Sequence, residues 1–184
     1  MSEEYLVWQT APTLAGLKTG SLFPCKYESY ETLKREICET NKALGKKGLR
    51  LIPLRRNEKQ ALLYLYRPER LRADLSAPEA VDILRREGYA DLRQERCLHE
   101  LMRRLQRFEA FPHEIGLFLS YPPEDVRGFI ENKAQNCKLT GYWKVYGDEK
   151  TARKTFEKYR KCTEAYQRSL DAGFTLSQLA VSLQ

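Results

Sequence analysis

The chain has 184 residues, 42% hydrophobic and 31% charged, with a formal net charge of +7. This is the balance of a soluble globular protein with a real core, expected as a single domain over 1–184. No apolar run approaches the ~20 residues that span a bilayer, and the start MSEEYLVWQ lacks the basic and apolar regions of a signal peptide, so the expected location is the cytosol.

In chain order, Tyr5 to Trp8 has strand or helix character, and the following APTLAGLKTGSLFPC, with one charge in fifteen residues, reads as a loop or partly buried turn. Tyr30, Leu33, Ile37 and Leu44 stand near helical spacing, with Gly45 and Gly48 placed to end that helix. Leu49 to Leu54 and Ala61 to Tyr66 are apolar runs of strand formers flanking the polar Arg55 to Lys59, which predicts a β-hairpin. Ser76 with Glu79 forms a capping-box pattern around Pro78, and Asp91 with Gln94 opens a second helix. That second helix takes its apolar stripe from Leu98, Leu101, Met102, Leu105 and Phe108.

Ile115 to Leu119 is a short continuous apolar run, as in a strand covered on both faces. Pro122 and Pro123 start a helix whose acidic first turn, Glu124 and Asp125, complements the helix dipole. Tyr142 to Tyr146 predicts another strand, and Asp148 begins the longest helix, which runs to Gly173. Thr175 and Gln178 cap a last short helix containing Leu176, Leu179 and Leu183. The sum is a mixed α/β sandwich, with helices packed on a sheet of four to six strands and the strand order left open.

The candidate sites are few. The five cysteines, Cys25, Cys38, Cys97, Cys137 and Cys162, include no Cys-x-x-Cys pair, and are expected as reduced thiols. Thr13, Lys18, Thr19 and Ser21, with Gly16 and Gly20, are types that wrap amides and an ammonium around an anion. The spacing of a nucleotide P-loop is absent, so the competing reading is a structural turn. His113 and Glu114 offer an imidazole and a carboxylate for acid and base work. On a strand, however, neighbours face opposite ways, and residue 117 of a zincin pattern is leucine, so no metal site is expected. Asn132, Asn136 and Cys137 belong to a polar loop that includes Lys133 and Lys138, where the thiol is a candidate for redox reactivity.

Between Lys133 and Arg168, ten Lys or Arg face only Asp148, Glu149, Glu157 and Glu164. Nearly all the positive excess is gathered here, chiefly on the predicted long helix at Lys150, Arg153, Lys154, Lys158, Arg160 and Lys161. Such a face attracts an acidic protein, nucleic acid or an anionic ligand, and sign alone does not choose among them.

Three groups of residues carry a resemblance. They are Ala11-Pro12-Thr13-Leu14-Ala15-Gly16 with Lys18 and Leu22-Phe23; the stretch Phe111-Pro112-His113-Glu114-Ile115-Gly116, continued by Tyr121-Pro122, Glu124-Asp125-Val126 and Gly128-Phe129-Ile130; and Gly141-Tyr142-Trp143-Lys144-Val145-Tyr146. On these the chain resembles, over nearly its full length, a domain-of-unknown-function family of small proteins from anaerobic, clostridia-like Firmicutes. The resemblance implies a cysteine just before the Ala-Pro-Thr-Leu run, where this chain has Thr10. It also implies genes that sometimes neighbour flavodoxin or metal-uptake functions, and it supplies neither an activity nor a cofactor.

The leading expectation is therefore a cytosolic binding or accessory protein, with enzymatic activity left open, whose basic C-terminal surface meets an acidic partner such as a flavodoxin-like electron carrier. The alternative is a small-molecule enzyme with an anion-binding cleft formed by the 13–21 loop, His113 and the 132–138 loop. RNA binding ranks third.

Overall fold

In the computed structural model, which describes residues 1–107 and 111–183, the chain forms two compact units. One is Met1–Glu69 with Tyr159–Gln184, the other Arg70–Lys158. The architecture is mixed α+β, but helices predominate, and the described strands make one sheet of three and one of two. The expected sheet of four to six strands is thus replaced by two small ones. One anticipated strand is helical, and another is only two residues long.

α1 (Glu3–Leu14) starts at Ser2, whose side chain accepts from the Tyr5 N–H. It continues through Ala11 to Leu14, expected to be loop, with Pro12 inside it. The hydrogen bond that Pro12 cannot donate is the one to the Trp8 carbonyl, four residues earlier, and the proline itself is buried. β1 (Gly20–Lys26) also lies in the stretch read as loop. Its glycine, serine and proline hide the pattern, yet once paired with β3 it alternates, burying Ser21, Phe23 and Cys25. α2 (Tyr30–Leu44) is capped by Ser29, and a 3-10 turn at Gly45–Lys47 leads to Gly48 at φ 72°. β2 (Arg50–Arg56) and β3 (Gln60–Tyr66) form the expected hairpin. The sheet is antiparallel in the order β1-β3-β2, which puts Pro24 and Pro53 on edge strands, where a missing donor is tolerated.

α3 (Pro68–Ser76) and α4 (Pro78–Arg86) follow. The proposed capping box fails, because Ser76 ends α3 by donating to Arg72 O and Ala77 is the N-cap of α4. α5 (Gln94–Arg107) buries Cys97, Leu98, Leu101 and Leu105; Phe108, assigned to the same stripe, lies outside the described residues. α6 (Ile115–Phe118) is a single helical turn where a strand was expected. Short apolar runs leave that choice open; here Leu119 and Tyr121 N–H both return to the Gly116 carbonyl and curl the chain. α7 (Pro123–Glu131) has its proline start. β4 (Leu139–Thr140) and β5 (Lys144–Val145) make a minimal hairpin, shorter than the strand anticipated over 142–146. α8 (Glu149–Asp171) and α9 (Leu176–Leu179) are as expected, including the reciprocal Thr175–Gln178 capping box. Leu183 lies beyond α9.

Within the first unit, α1 and α2 cover the three-stranded sheet and α9 packs on both. Leu6, Val7, Leu14, Leu33, Leu44, Leu51, Leu63 and Leu65 form its core. In the second unit α7 is the hub, touching α4, α6 and β5. Among the described residues, no helix is long and apolar enough to cross a membrane.

Candidate functional site

Asp125 organises the second unit. It is 3% exposed, and its carboxylate accepts three hydrogen bonds of 2.7 Å, from Trp143 Nε1–H on one oxygen and from the Tyr146 and Gly147 N–H groups on the other. Three donors offset the burial of one charge. The effect is to hold the β4–β5 hairpin against the first turn of α7. Gly128, one turn further along α7, allows the close approach, since a Cβ there would stand 2.5 Å from both Cβ and Cγ of Tyr146.

The indole so fixed is gripped on its rings as well. Trp143 stacks with Tyr121 at 5.0 Å between centroids and meets Phe156 edge-on at 4.5 Å. Between α6, α7 and the hairpin remains a cavity of about 270 Å³. Gly116, Val126 and Trp143 are its buried floor, while Phe111, His113, Thr140 and Gly141 are exposed at its rim. Phe129 forms a wall, with His113 edge-on to its ring at 5.1 Å. Lys144, half-buried, places Nζ 6.0 Å from the Phe129 centroid and donates to Ala134 O at 2.6 Å. That acceptor sits in a turn where Lys133, Ala134 and Asn136 all have positive φ, between 50° and 64°, a conformation costly for non-glycine residues.

His113 is presented by its neighbour. Glu114, 1% exposed, accepts from Tyr89 OH at 3.0 Å and Arg104 Nη1 at 3.1 Å, and Arg104 lies over the Tyr89 ring at 4.4 Å. Burial, and then the Glu114 charge, push the Tyr89 hydroxyl well above its ordinary pKa. Arg104 also reaches Glu100, whose carboxyl is pulled down to about 2, first by its hydrogen bond from Arg103. Glu114 is therefore committed to this network, while His113 lines the cavity rim.

The other candidates divide between the units. Thr13, Lys18, Thr19 and Ser21 belong to the first, where all four are buried. Thr13 and Ser21 share a hydrogen bond of 2.8 Å. Arg67, 2% exposed, closes the corner by donating to Thr13 O, Leu14 O, Lys47 O and Val181 O over 2.7–3.1 Å. Gly16 is at φ 72°, with Leu183 packed where its Cβ would be. Burial lowers Lys18 to about 8. In the second unit, Asn132 is bonded to Gly128 O, Asn136 is exposed, and half-buried Cys137 has Sγ 3.4 Å from Thr140 Oγ1. On α8, Arg153 is paired with Glu149 and Arg160 with Glu164, while Lys150, Lys154, Lys158 and Lys161 are exposed.

Sequence reasoning missed the cavity itself and the role of Asp125, which it took as a helix-dipole partner. The available signal was the crowding of aromatics between 111 and 143: every residue lining the cavity falls between Phe111 and Lys144.

The chain belongs to the family described as Protein of unknown function (DUF3793), which matches residues 6–180. No curated protein and no solved structure matches it.

Proposed function

We propose that this protein binds a small ring-containing organic molecule in the cavity of its second unit. The observation that supports this reading is a space of about 270 Å³ with a mainly apolar buried floor, where Asp125 is hydrogen-bonded to the hairpin, and with other polar groups at the rim. Ligand sites are concave, mainly apolar and preformed, with a few polar groups that set orientation, and range over ~300–1,000 Å³. A volume just below that range suits one or two fused rings. Binding is favoured over catalysis because Glu114, the nearest candidate partner for His113 in sequence, is turned into the Arg104 network. The test is a ¹H–¹⁵N titration with one- and two-ring compounds, following the Trp143 indole N–H and the Gly147 amide. Saturable movement of these signals is the expected result; a set that leaves them unmoved, or shifts the exposed Trp8 indole equally, overturns the reading.

A second reading concerns α8. Lys150, Lys154, Lys158 and Lys161 fall within about 80° of the helix circumference at 100° per residue, and the two arginines beside them are paired with acids. Glu157 lies about 20° outside that sector at the same spacing and reduces its charge. This stripe would dock an acidic protein, with flavodoxin-like carriers one case, in preference to RNA. Replacing the four lysines by glutamate should abolish association with an acidic carrier at low salt, and binding indifferent to ionic strength sinks this version.

A further inference from the structure

We infer that the cavity selects planar aromatic acids, with the ring against the apolar floor and the anionic group at the rim between Lys144 and His113. The inference rests on the binding reading above and adds the charge of the ligand. Two of the lining side chains carry a formal charge at neutral pH, and they are not equivalent. Both oxygens of Asp125 accept from the hairpin's neutral donors, which hold its charge on the buried floor and leave the rim to Lys144 and His113. Among the described residues Lys144 donates one hydrogen bond, to Ala134 O, and an ammonium carries three donors. His113 stands exposed on the same rim, edge-on to the Phe129 ring. An entering carboxylate would therefore meet donors.

A cation would meet the opposite. Aromatic walls attract cations, but the Lys144 ammonium already sits near the Phe129 ring and would repel a second positive charge. A neutral ring would gain the floor contacts and leave the lysine as it was. The order of affinity follows: anion, then neutral, then cation. An ionic hydrogen bond of the usual size gives about ten-fold between the first two.

The experiment uses three probes of one shape, naphthalene-2-carboxylate, 2-naphthamide and 2-naphthylmethylammonium, titrated into the full chain by calorimetry and by the Trp143 indole signal. The carboxylate is expected to bind one-to-one, about ten-fold tighter than the amide, with the ammonium weakest. Lys144→Gln should erase the carboxylate's advantage and leave the amide unchanged, whereas Lys144→Arg should keep it; a dispersed spectrum checks that each variant is folded. His113→Asn should cost the carboxylate a few-fold. If amide or ammonium binds as tightly as carboxylate at Trp143, the anion assignment falls while the binding reading stands. The assignment falls equally if the advantage survives Lys144→Gln. When none of the three moves Trp143 at millimolar concentration, both fall together.

Discussion

The corner at residues 13–21 and the cavity at residues 111–144 use opposite materials for opposite ends. The corner is built from glycine, threonine, serine and lysine, the usual components of an anion cradle, yet its Thr13 and Ser21 hydroxyls bond to each other and its Thr13 and Leu14 carbonyls accept from Arg67. The cavity is walled by aromatic and aliphatic side chains, the usual components of a core, yet they surround open space. Residue type therefore says little about openness. What decides is whether a buried donor or acceptor already has its partner within the fold, because an unmet one costs as much as several good contacts.

The contrast predicts that Arg67 matters more to stability than any single residue of the cavity. Arg67→Met removes donors from four carbonyls at once. A loss of about 3–5 kcal/mol is expected, the scale of breaking a buried charged network, read as a drop in Tm of roughly 10–15 °C. A loss below about 1 kcal/mol in denaturant unfolding would mean that the corner is not held by the guanidinium, and the comparison breaks there.

Lys18 sharpens it through pH. Burial brings the folded-state value to about 8 from 10.5, so the unfolded chain holds that proton over an interval where the folded chain has released it. The cost of burial is full below pH 8, shrinks as pH rises from 8 to 10.5, and is gone above that. The stability difference between Lys18→Met and the parent should accordingly move in the parent's favour by on the order of 1–3 kcal/mol as pH rises from 8 to 10.5. Comparing the two proteins at each pH cancels the raised Tyr5 and Cys25, which both share. A difference that moves in the variant's favour as pH rises contradicts the assignment.

On the cavity side the sensitive point is a glycine. Gly128→Ala drives a methyl into the near end of the Tyr146 side chain, which cannot swing aside as a ring tip can. About 1–3 kcal/mol is expected from such overpacking. Because the same contact seats the hairpin on α7, the Trp143 indole signal should shift as well. Destabilisation without movement of that signal would separate hairpin docking from the cavity.

Much of the fold was legible in the pattern: Thr175 as a cap, the β2–β3 hairpin, the proline start of α7 and the length of α8 each rest on local chemistry. The failures have physical causes. Pro12 lies buried inside α1, and Pro24 is tolerated inside β1 because that strand is an edge, a fact set by packing. Ile115 to Leu119 carries no period with which to choose between strand and helix. The site was half legible. His113 stood out by type, but the cavity depends on Asp125 reaching 18 residues along the chain to Trp143, and no local spacing encodes that pairing.

The smallest effect tests the turn that receives Lys144. Ala134 sits at φ 64°, where a Cβ crowds its own carbonyl at a cost of about 1–2 kcal/mol. Glycine removes that crowding but gives the unfolded chain more freedom. Ala134→Gly should thus stabilise the protein by only about 0.5–1 kcal/mol, measured by calorimetry. The informative readout is binding, because the Lys144 ammonium bonds to the carbonyl of this residue and not to its side chain. If the left-handed turn exists to place that carbonyl, the variant should keep both the lysine contact and the preference for naphthalene-2-carboxylate. A variant that is more stable yet loses the preference would show instead that the methyl group, through the strain it imposes, helps to aim the lysine at the rim.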